Sequence, residues 1–311
     1  KNLKSSLDFL LERNLFEEKI IVYEFIGKGL GNYRFDPNSQ IYLFDQFGDY
    51  LSYSIPSGIK SPSTHFLSNF RFNKKFSTSK NKYLRSTTLR FYFKTDYNGT
   101  KISYENILNP SHTINDLKSS RLTVQTDIRY VPKNSFRRMG LKIIKNHQVI
   151  ANTLQPYKDE KNSQIKFNFE EPITNKIIFN SELNYFNTDF KSSQISLSRK
   201  SLGWYIDTGF NFKLLKLINY GIDFVYGNEN GSFGLFTDEI ETSGLEFNSI
   251  IFFKKNARID ANIFFYNISF ANKSFNSLPP ELARGFQPGF NTKSTISTIF
   301  NINNEISLNF N

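Results

Sequence analysis

The 311-residue chain has no cysteine, one methionine, one tryptophan and three histidines. Without thiols it has neither a disulfide framework nor a thiolate metal site. His65, His112 and His147 lie far apart, and none stands in a metal-ligand spacing. A Ser–His–acid triad is a spatial arrangement and is not read from order along the chain. Still, no serine occupies a Gly-x-Ser-x-Gly context. The expectation is therefore a non-enzyme, with no catalytic residue, no cofactor and no metal site. There is also no run of about 18 apolar residues, which excludes an ordinary transmembrane helix. A β-barrel is the one membrane-spanning architecture that leaves no such run, because its strands alternate.

Charge of one sign is in excess but not concentrated. Lys and Arg number 39 against 28 Asp and Glu, a formal charge of +11. The basic residues are scattered singly, with Lys74-Lys75 and Arg137-Arg138 as isolated pairs. A nucleic-acid groove needs a basic patch or stripe. Scattered cations suit a solvated or lipopolysaccharide-facing surface, so no nucleic-acid partner is expected. The expected partners are outer-membrane lipid and lipopolysaccharide, with other envelope proteins as further candidates. The chain opens on Lys1 in a mixed polar segment with no secretory signal. An envelope protein needs one, so its removal, or trimming of the chain, is implied.

What the sequence does have is aromatic residues, 34 Phe and 16 Tyr, and strands of unusually clear alternation. Between Gly203 and Ile268, Trp204, Ile206, Thr208, Phe210 and Phe212 oppose Tyr205, Asp207, Gly209, Asn211 and Lys213. Tyr220, Ile222, Phe224 and Tyr226 oppose Gly221 and Asp223; Leu245, Phe247, Ile251 and Phe253 oppose Glu246 and Asn248; Ile259, Ala261, Ile263 and Phe265 oppose Asp260 and Asn262. Successive strand side chains point to opposite faces, so each segment carries an apolar and a polar face. Each exceeds the usual ~5–6 residues of a globular strand and has the length a tilted transmembrane strand needs. A soluble sandwich, with the apolar face as a dry core between two sheets, is the competing fold and normally uses shorter strands.

Earlier segments repeat the pattern at Phe66–Phe72, Thr87–Lys94, Leu122–Tyr130, Phe136–Lys145, 165–170 and 177–185, with a shorter strand at Ile195–Leu197, and a hairpin around Asn303-Asn304 closes the chain. Phe310 is a near-terminal aromatic, as in the closing strands of outer-membrane barrels. Short turns are expected near 132–135, 172–175, 200–203, 254–257 and 303–304, and long loops at 98–119, 146–162, 228–241 and 270–291. Their alternation slips between 187 and 219. The fold expected is an all-β, antiparallel up-and-down transmembrane β-barrel of about 12–14 strands over residues 64–311. Residues 1–63 are expected to form a separate segment. In it Leu3, Leu7, Leu10, Leu11 and Leu15 suggest a short amphipathic helix or arm, followed by a small β-rich cap or plug.

On this fold Arg90, Lys94, Asp127, Arg129, Lys166, Glu170, Glu182, Asp207, Lys213, Asp223, Glu246 and Asp260 would line the lumen. Facing lipid at the midplane, each would cost roughly 2–4 kcal/mol. Two other acidic groups carry less. Asp36, Asp45 and Asp49 match no defensible Ca²⁺ loop. Asp238, Glu239 and Glu241 read as a solvated loop. The glycines from Gly27 to Gly31 are followed by Asp36-Pro37 with no Lys-Ser/Thr, so they read as a bend and not a phosphate cradle.

Gly27-Lys28-Gly29-Leu30-Gly31-Asn32-Tyr33-Arg34-Phe35-Asp36, with Gly48-Asp49-Tyr50, resembles a glycine–tyrosine–aspartate pattern of large uncharacterised envelope proteins of the Bacteroidota and Chlorobiota. The stretch Leu278-Pro279-Pro280-Glu281-Leu282-Ala283-Arg284-Gly285-Phe286-Gln287-Pro288-Gly289-Phe290-Asn291 resembles a loop before the final hairpin of the same kind of protein. The resemblance implies an outer-membrane barrel, part of a surface or secretion-associated protein, and no substrate. Function is accordingly expected to be that of an outer-membrane channel, transporter or membrane component of a secretion or surface assembly. The alternative is a structural or adhesive surface protein that binds a partner through long loops.

Overall fold

In the computed structural model the described residues are 3–37, 41–102, 104–111, 117–133, 137–151, 157–192, 198–215, 217–233, 236–253, 257–271, 282–301 and 307–310. They build an all-β structure, one antiparallel sheet of 15 strands. The strands are β1 (Leu3–Phe25), β2 (Gly31–Asp36), β3 (Ile41–Gly48), β4 (Tyr50–Lys75), β5 (Thr87–Gly99), β6 (Leu117–Tyr130), β7 (Arg138–Ile150) and β8 (Lys158–Pro172), then β9 (Ile177–Ser192), β10 (Arg199–Leu215), β11 (Ile218–Phe233), β12 (Phe236–Phe253), β13 (Ala257–Phe270), β14 (Gly289–Asn301) and β15 (Ser307–Phe310). Two one-turn helices, α1 (Lys82–Arg85) and α2 (Tyr104–Leu108), lie in connections. From β4 to β15 each strand pairs with the next in sequence, and β1 pairs with β4. Among the described residues, thirteen strands (β1 and β4 through β15) thus form an up-and-down wall, and its outermost strands β1 and β15 do not pair with each other.

The register explains the wall's two faces. Ile143, Ile165, Tyr185 and Trp204 are successive cross-strand partners, and so are Phe247 and Ile263. All of these are exposed despite being apolar or aromatic. The outer face is further laced with ring contacts, among them Phe179–Phe210 at 5.4 Å, Phe212–Tyr220 at 4.9 Å and Phe247–Phe265 at 6.0 Å. Such cross-strand aromatic pairs each add roughly 0.2–1 kcal/mol to a sheet. A water-facing surface this apolar would be an aggregation hazard, whereas lipid is its matching solvent.

The structure corrects the sequence reading at several places. Residues 3–25 form a strand, not a helix or arm. Leu3, Leu7, Phe9 and Leu11 alternate with Lys4, Ser6, Asp8, Leu10 and Glu12, a period of two. Counting leucines alone concealed it, because Phe9 fills the pattern and Leu10 belongs to the opposite face. β4 runs unbroken across position 63/64. Asp238, Glu239 and Glu241 lie within β12, and Asp238 is buried. Where a loop was expected at 228–241, β11 and β12 are longer than expected and only residues 234–235 lie between them. Residues 200–203 are no turn but the start of β10. The connection falls instead at 193–198, which restores the alternation of the two ends. One end then carries 76–86, 131–137, 173–176, 216–217, 254–256 and 302–306; the other carries 100–116, 151–157, 193–198, 234–235 and 271–288. These are called the turn end and the loop end below. Ile195, Leu197 and His112 lie outside the described residues.

At the loop end β4 outruns β5. Residues 64–75 of β4 pair with β5, but residues 50–63 pair only with β1 over most of their length. This leaves a two-stranded ribbon projecting roughly 40 Å at about 3.3 Å per residue. A register shift between Glu17 and Lys19, with Gly58 at φ 75°, bends the ribbon midway. The hairpin β2–β3 closes its tip, where Tyr33 pairs with Tyr50. The glycine–tyrosine–aspartate residues act together here. A Cβ at Gly31 or Gly48 would strike the backbone of Tyr50 or Tyr33, and Asp49 accepts a hydrogen bond from the Gly29 N–H at 2.9 Å. Tyr23 stacks on Tyr42 at 4.0 Å, with Tyr33, Tyr50 and Phe25 edge-on around them.

Candidate functional site

The twelve charged positions expected on the lumen side all fall on one face of the sheet. Arg90 lies opposite Asp127, Glu182 opposite Asp207, and Asp223 opposite both Gly209 and Glu246. Lys94, Arg129, Lys166, Glu170, Lys213 and Asp260 follow by the two-residue period along the same strands. Several neutralise one another. Lys166 reaches Glu182 at 3.0 Å, Arg129 reaches Asp127 at 2.9 Å, Arg258 reaches Asp260 at 2.6 Å, and Arg138 reaches Glu170 at 3.5 Å. Asp223 accepts from Asn180 at 2.8 Å and from Asn248 at 3.0 Å. The face is polar and closely paired, not a field of one sign.

One part of it was not expected from sequence. The chain leaving the 271–288 connection folds back onto the polar face of β9–β13. Leu282 and Ala283 are buried there with Phe186, Tyr205, Val225, Ile240, Tyr266 and Ile268. The seat is made by glycines. A Cβ at Gly231 would come within 2.9 Å of Leu282 Cδ1, and one at Gly244 within 2.6 Å of the Tyr266 ring. A Cβ at Gly227 would enter the Tyr205 ring. Glycine inside a strand weakens it but lets another group approach closely, and here the rings and the returning loop fill the space.

Arg284 is the polar centre of the loop. Its guanidinium lies 2.9 Å from Asp207 Oδ1 and 3.4 Å from Glu246 Oε1. The rings of Tyr205 and Tyr266 lie 5.5 and 5.6 Å away, within cation–π range. Burial works against this charge, but Asp207, Tyr266 and Glu246 outweigh it and hold the guanidinium pKa above its ordinary value. Tyr266 donates its hydroxyl to Glu246. Beside Arg284, the buried Glu229 carboxylate accepts from the Ala283 N–H and from Ser201 Oγ, the latter at 2.8 Å. The loop adopts left-handed backbone at Ala283 (φ 49°), Arg284 (φ 56°) and Gly285 (φ 86°) in succession. For the two non-glycine residues that costs roughly 1–2 kcal/mol each, so surrounding contacts must hold them there. Next to the loop is a cavity of about 500 Å³, lined in part by Lys166, Glu182, Asn184, Phe190 and Arg199.

Of the twelve expected residues, Asp207 and Glu246 meet at this cluster. The others line the same face elsewhere. Sequence reading missed Arg284, Glu229, Tyr205, Tyr266 and Leu282. One signal was available: Gly203, Gly227, Gly231 and Gly244 recur on the polar face of three neighbouring strands, which marks a site of close approach.

The histidines gain partners across strands. His65 Nε2 lies 2.9 Å from Asp96 Oδ1, and His147 Nε2 lies 2.9 Å from Asp159 Oδ1 with both groups buried. The second pair lies near the cluster of Tyr97, Leu117 and Val149 that Ile107 of α2 covers. Among the described residues, no group of three or more His, Asp or Glu is placed to hold a metal ion.

Long antiparallel strands paired in sequence order, with an apolar outer face and a polar inner face, define the wall of a β-barrel of the outer-membrane type. No family model matches the chain, and no curated protein does. The likeness of Gly27–Asp36 and Leu278–Asn291 to Bacteroidota and Chlorobiota envelope proteins therefore has no support beyond those residues. Among solved structures the chain is similar to a TodX monoaromatic hydrocarbon channel deltaS2 mutant at 7% identity and TM-score 0.39, over 99% of this chain and 82% of that one. It is also similar to outer-membrane expressed OmpT of Vibrio cholerae at 9% identity and TM-score 0.35, over 94% of this chain and 97% of that one. Likenesses this distant carry neither a function nor a closed strand count to this chain.

Proposed function

We propose that the protein sits in a bacterial outer membrane, contacts lipid and lipopolysaccharide with its aromatic outer face, and serves as a channel or transporter whose conduit is lined by the paired charges of the inner face. The observation that carries this reading is the chemical opposition of the two faces through the middle of most wall strands. The inner face is too charged for lipid and the outer too apolar for water. A wall of about a dozen strands leaves room for water or a plug, and the mixed signs favour weak ion selectivity. The test is single-channel recording from the detergent-refolded full chain in a planar bilayer. Discrete steps with a cation-to-anion permeability ratio near one are expected. Absence of steps from a preparation shown to be folded and inserted would remove the conduit.

The ribbon favours a second reading, a surface protein that binds a partner. Its tip exposes Leu30, Phe44 and Phe47 well beyond the wall at the loop end, the end that faces outward in outer-membrane barrels. Deleting residues 31–48 would then abolish attachment of expressing cells to the surface they colonise while leaving folding and conductance intact.

A further inference from the structure

Resting on the conduit reading, we infer that residues 282–286 form a latched gate, a strained segment held against the inner wall by Arg284 and able to leave it. Three features separate this segment from a loop that is simply packed.

The first is strain. Two consecutive non-glycine residues are left-handed, and each would relax if the segment let go. The second is the nature of the hold. One guanidinium bridges Asp207 of β10 and Glu246 of β12, and one carboxylate, Glu229 of β11, receives the Ala283 N–H. The polar hold is therefore concentrated in two side chains, which makes release a single event and not a gradual peeling. The apolar hold is mainly Leu282 on the Gly231 seat, with Ala283 beside it and the Phe286 ring 4.4 Å from Tyr266. The free energy of burying one leucine is of the same order as the backbone strain it opposes. The latch therefore decides the balance.

The third feature is a pinned base, which leaves only the residues before Gln287 free to move. Gly289 begins β14 at φ 92° with open space around its Cβ position. Just beyond it the Asn291 side chain donates to the carbonyls of Gln287 and Gly289 at 2.6 and 2.9 Å and accepts from the Gln287 N–H at 3.3 Å. The return into β14 is fixed by that side chain, so motion is confined to the segment before it. Released, the segment would uncover Tyr205 and Tyr266 and join the adjoining cavity to the rest of the inner face.

The chain has no native cysteine, so an introduced one reports alone. In a Val225→Cys background the thiol starts out buried on the wall beneath the segment, as Val225 belongs to the same cluster as Leu282 and is 3% exposed. Its rate of reaction with a water-soluble maleimide measures opening without reference to conductance. Arg284→Gln added to this background is expected to raise the labelling rate at least tenfold. If that double variant does not fold, the Val225→Cys protein alone supplies the test: labelling in 1 M NaCl should exceed that in 0.05 M NaCl several-fold, because salt screens a partly exposed latch. Equal labelling under both comparisons would show that the segment is fixed, and would overturn the gate. Faster labelling without any change in current, in either background, would leave the gate standing and sink the conduit reading instead.

Discussion

Glu229 is the residue whose loss the structure prices most clearly. It is 1% exposed, and its carboxylate takes hydrogen bonds from the Ala283 N–H and the Ser201 hydroxyl, both on buried residues. Glu229→Ala removes both acceptors at once. A buried donor left without a partner costs roughly 1–3 kcal/mol. The Ser201 hydroxyl can rotate and belongs at the low end, whereas the Ala283 N–H is held by the left-handed turn and does not escape so easily. The sum is about 2–4 kcal/mol. It is capped by the alternative of letting the 282–286 segment detach, which would return both donors to water. Glu229→Gln keeps an acceptor of nearly the same shape and is expected to cost no more than about 1.5 kcal/mol, the net worth of a typical hydrogen bond. The assay is equilibrium urea unfolding of the protein inserted in lipid vesicles, followed by far-ultraviolet circular dichroism, with wild type and both variants side by side. If Ala and Gln variants unfold together and within about 0.5 kcal/mol of wild type, the polar seat of the segment contributes nothing and the account of the site is wrong.

Gly244→Val should lower stability by about 1–3 kcal/mol, the cost of overpacking, because its Cβ would fall 2.6 Å from the Tyr266 ring; shortening that ring with Tyr266→Leu in the same chain should return part of the loss in the same urea assay. Phe224 stands on the outer face and is 54% exposed. Phe224→Lys should cost roughly 2–4 kcal/mol in a bilayer, whereas Asn211→Lys on the opposite face should stay within about 1 kcal/mol. A soluble protein would reverse that order, since an exposed lysine would be harmless and Asn211 would lose its hydrogen bond to Asn180.

Much of the wall was legible in the sequence because alternation with a period of two is a local property. Trp204 to Lys213 sorts onto two faces without knowledge of any neighbour, and the twelve charged positions sort with it. The turns at 173–176 and 254–256 were legible for a similar reason, since polar and proline-containing breaks interrupt the pattern there. The N-terminal strand was misread because its outward face mixes leucine with Phe9 and Ser5, and counting one residue type imposed a false helical spacing. The closeness of β11 and β12 in sequence was hidden because these strand ends are rich in polar residues, as in Asn228 to Ser232 and, apart from Ile240, Asp238 to Ser243, and composition then suggests a loop. The Arg284 cluster is of a different kind. Its ion pairs join a connection to β10 and β12 with 77 and 38 residues between partners, so no short window of sequence contains it. Only the repeated glycines hinted that something would come close.

The chain's single tryptophan allows the central claim, that the aromatic face of the sheet meets lipid, to be tested without altering a residue. Trp204 lies on that face beside Tyr226, with ring centroids 5.7 Å apart, and is 37% exposed. The decisive measurement is quenching of its fluorescence in vesicles made with brominated lipid, set against quenching by aqueous iodide. Strong quenching by the bromines with little effect of iodide is predicted. Strong quenching by iodide with none by brominated lipid, in a protein shown to be folded, would place the aromatic face in water and contradict the account.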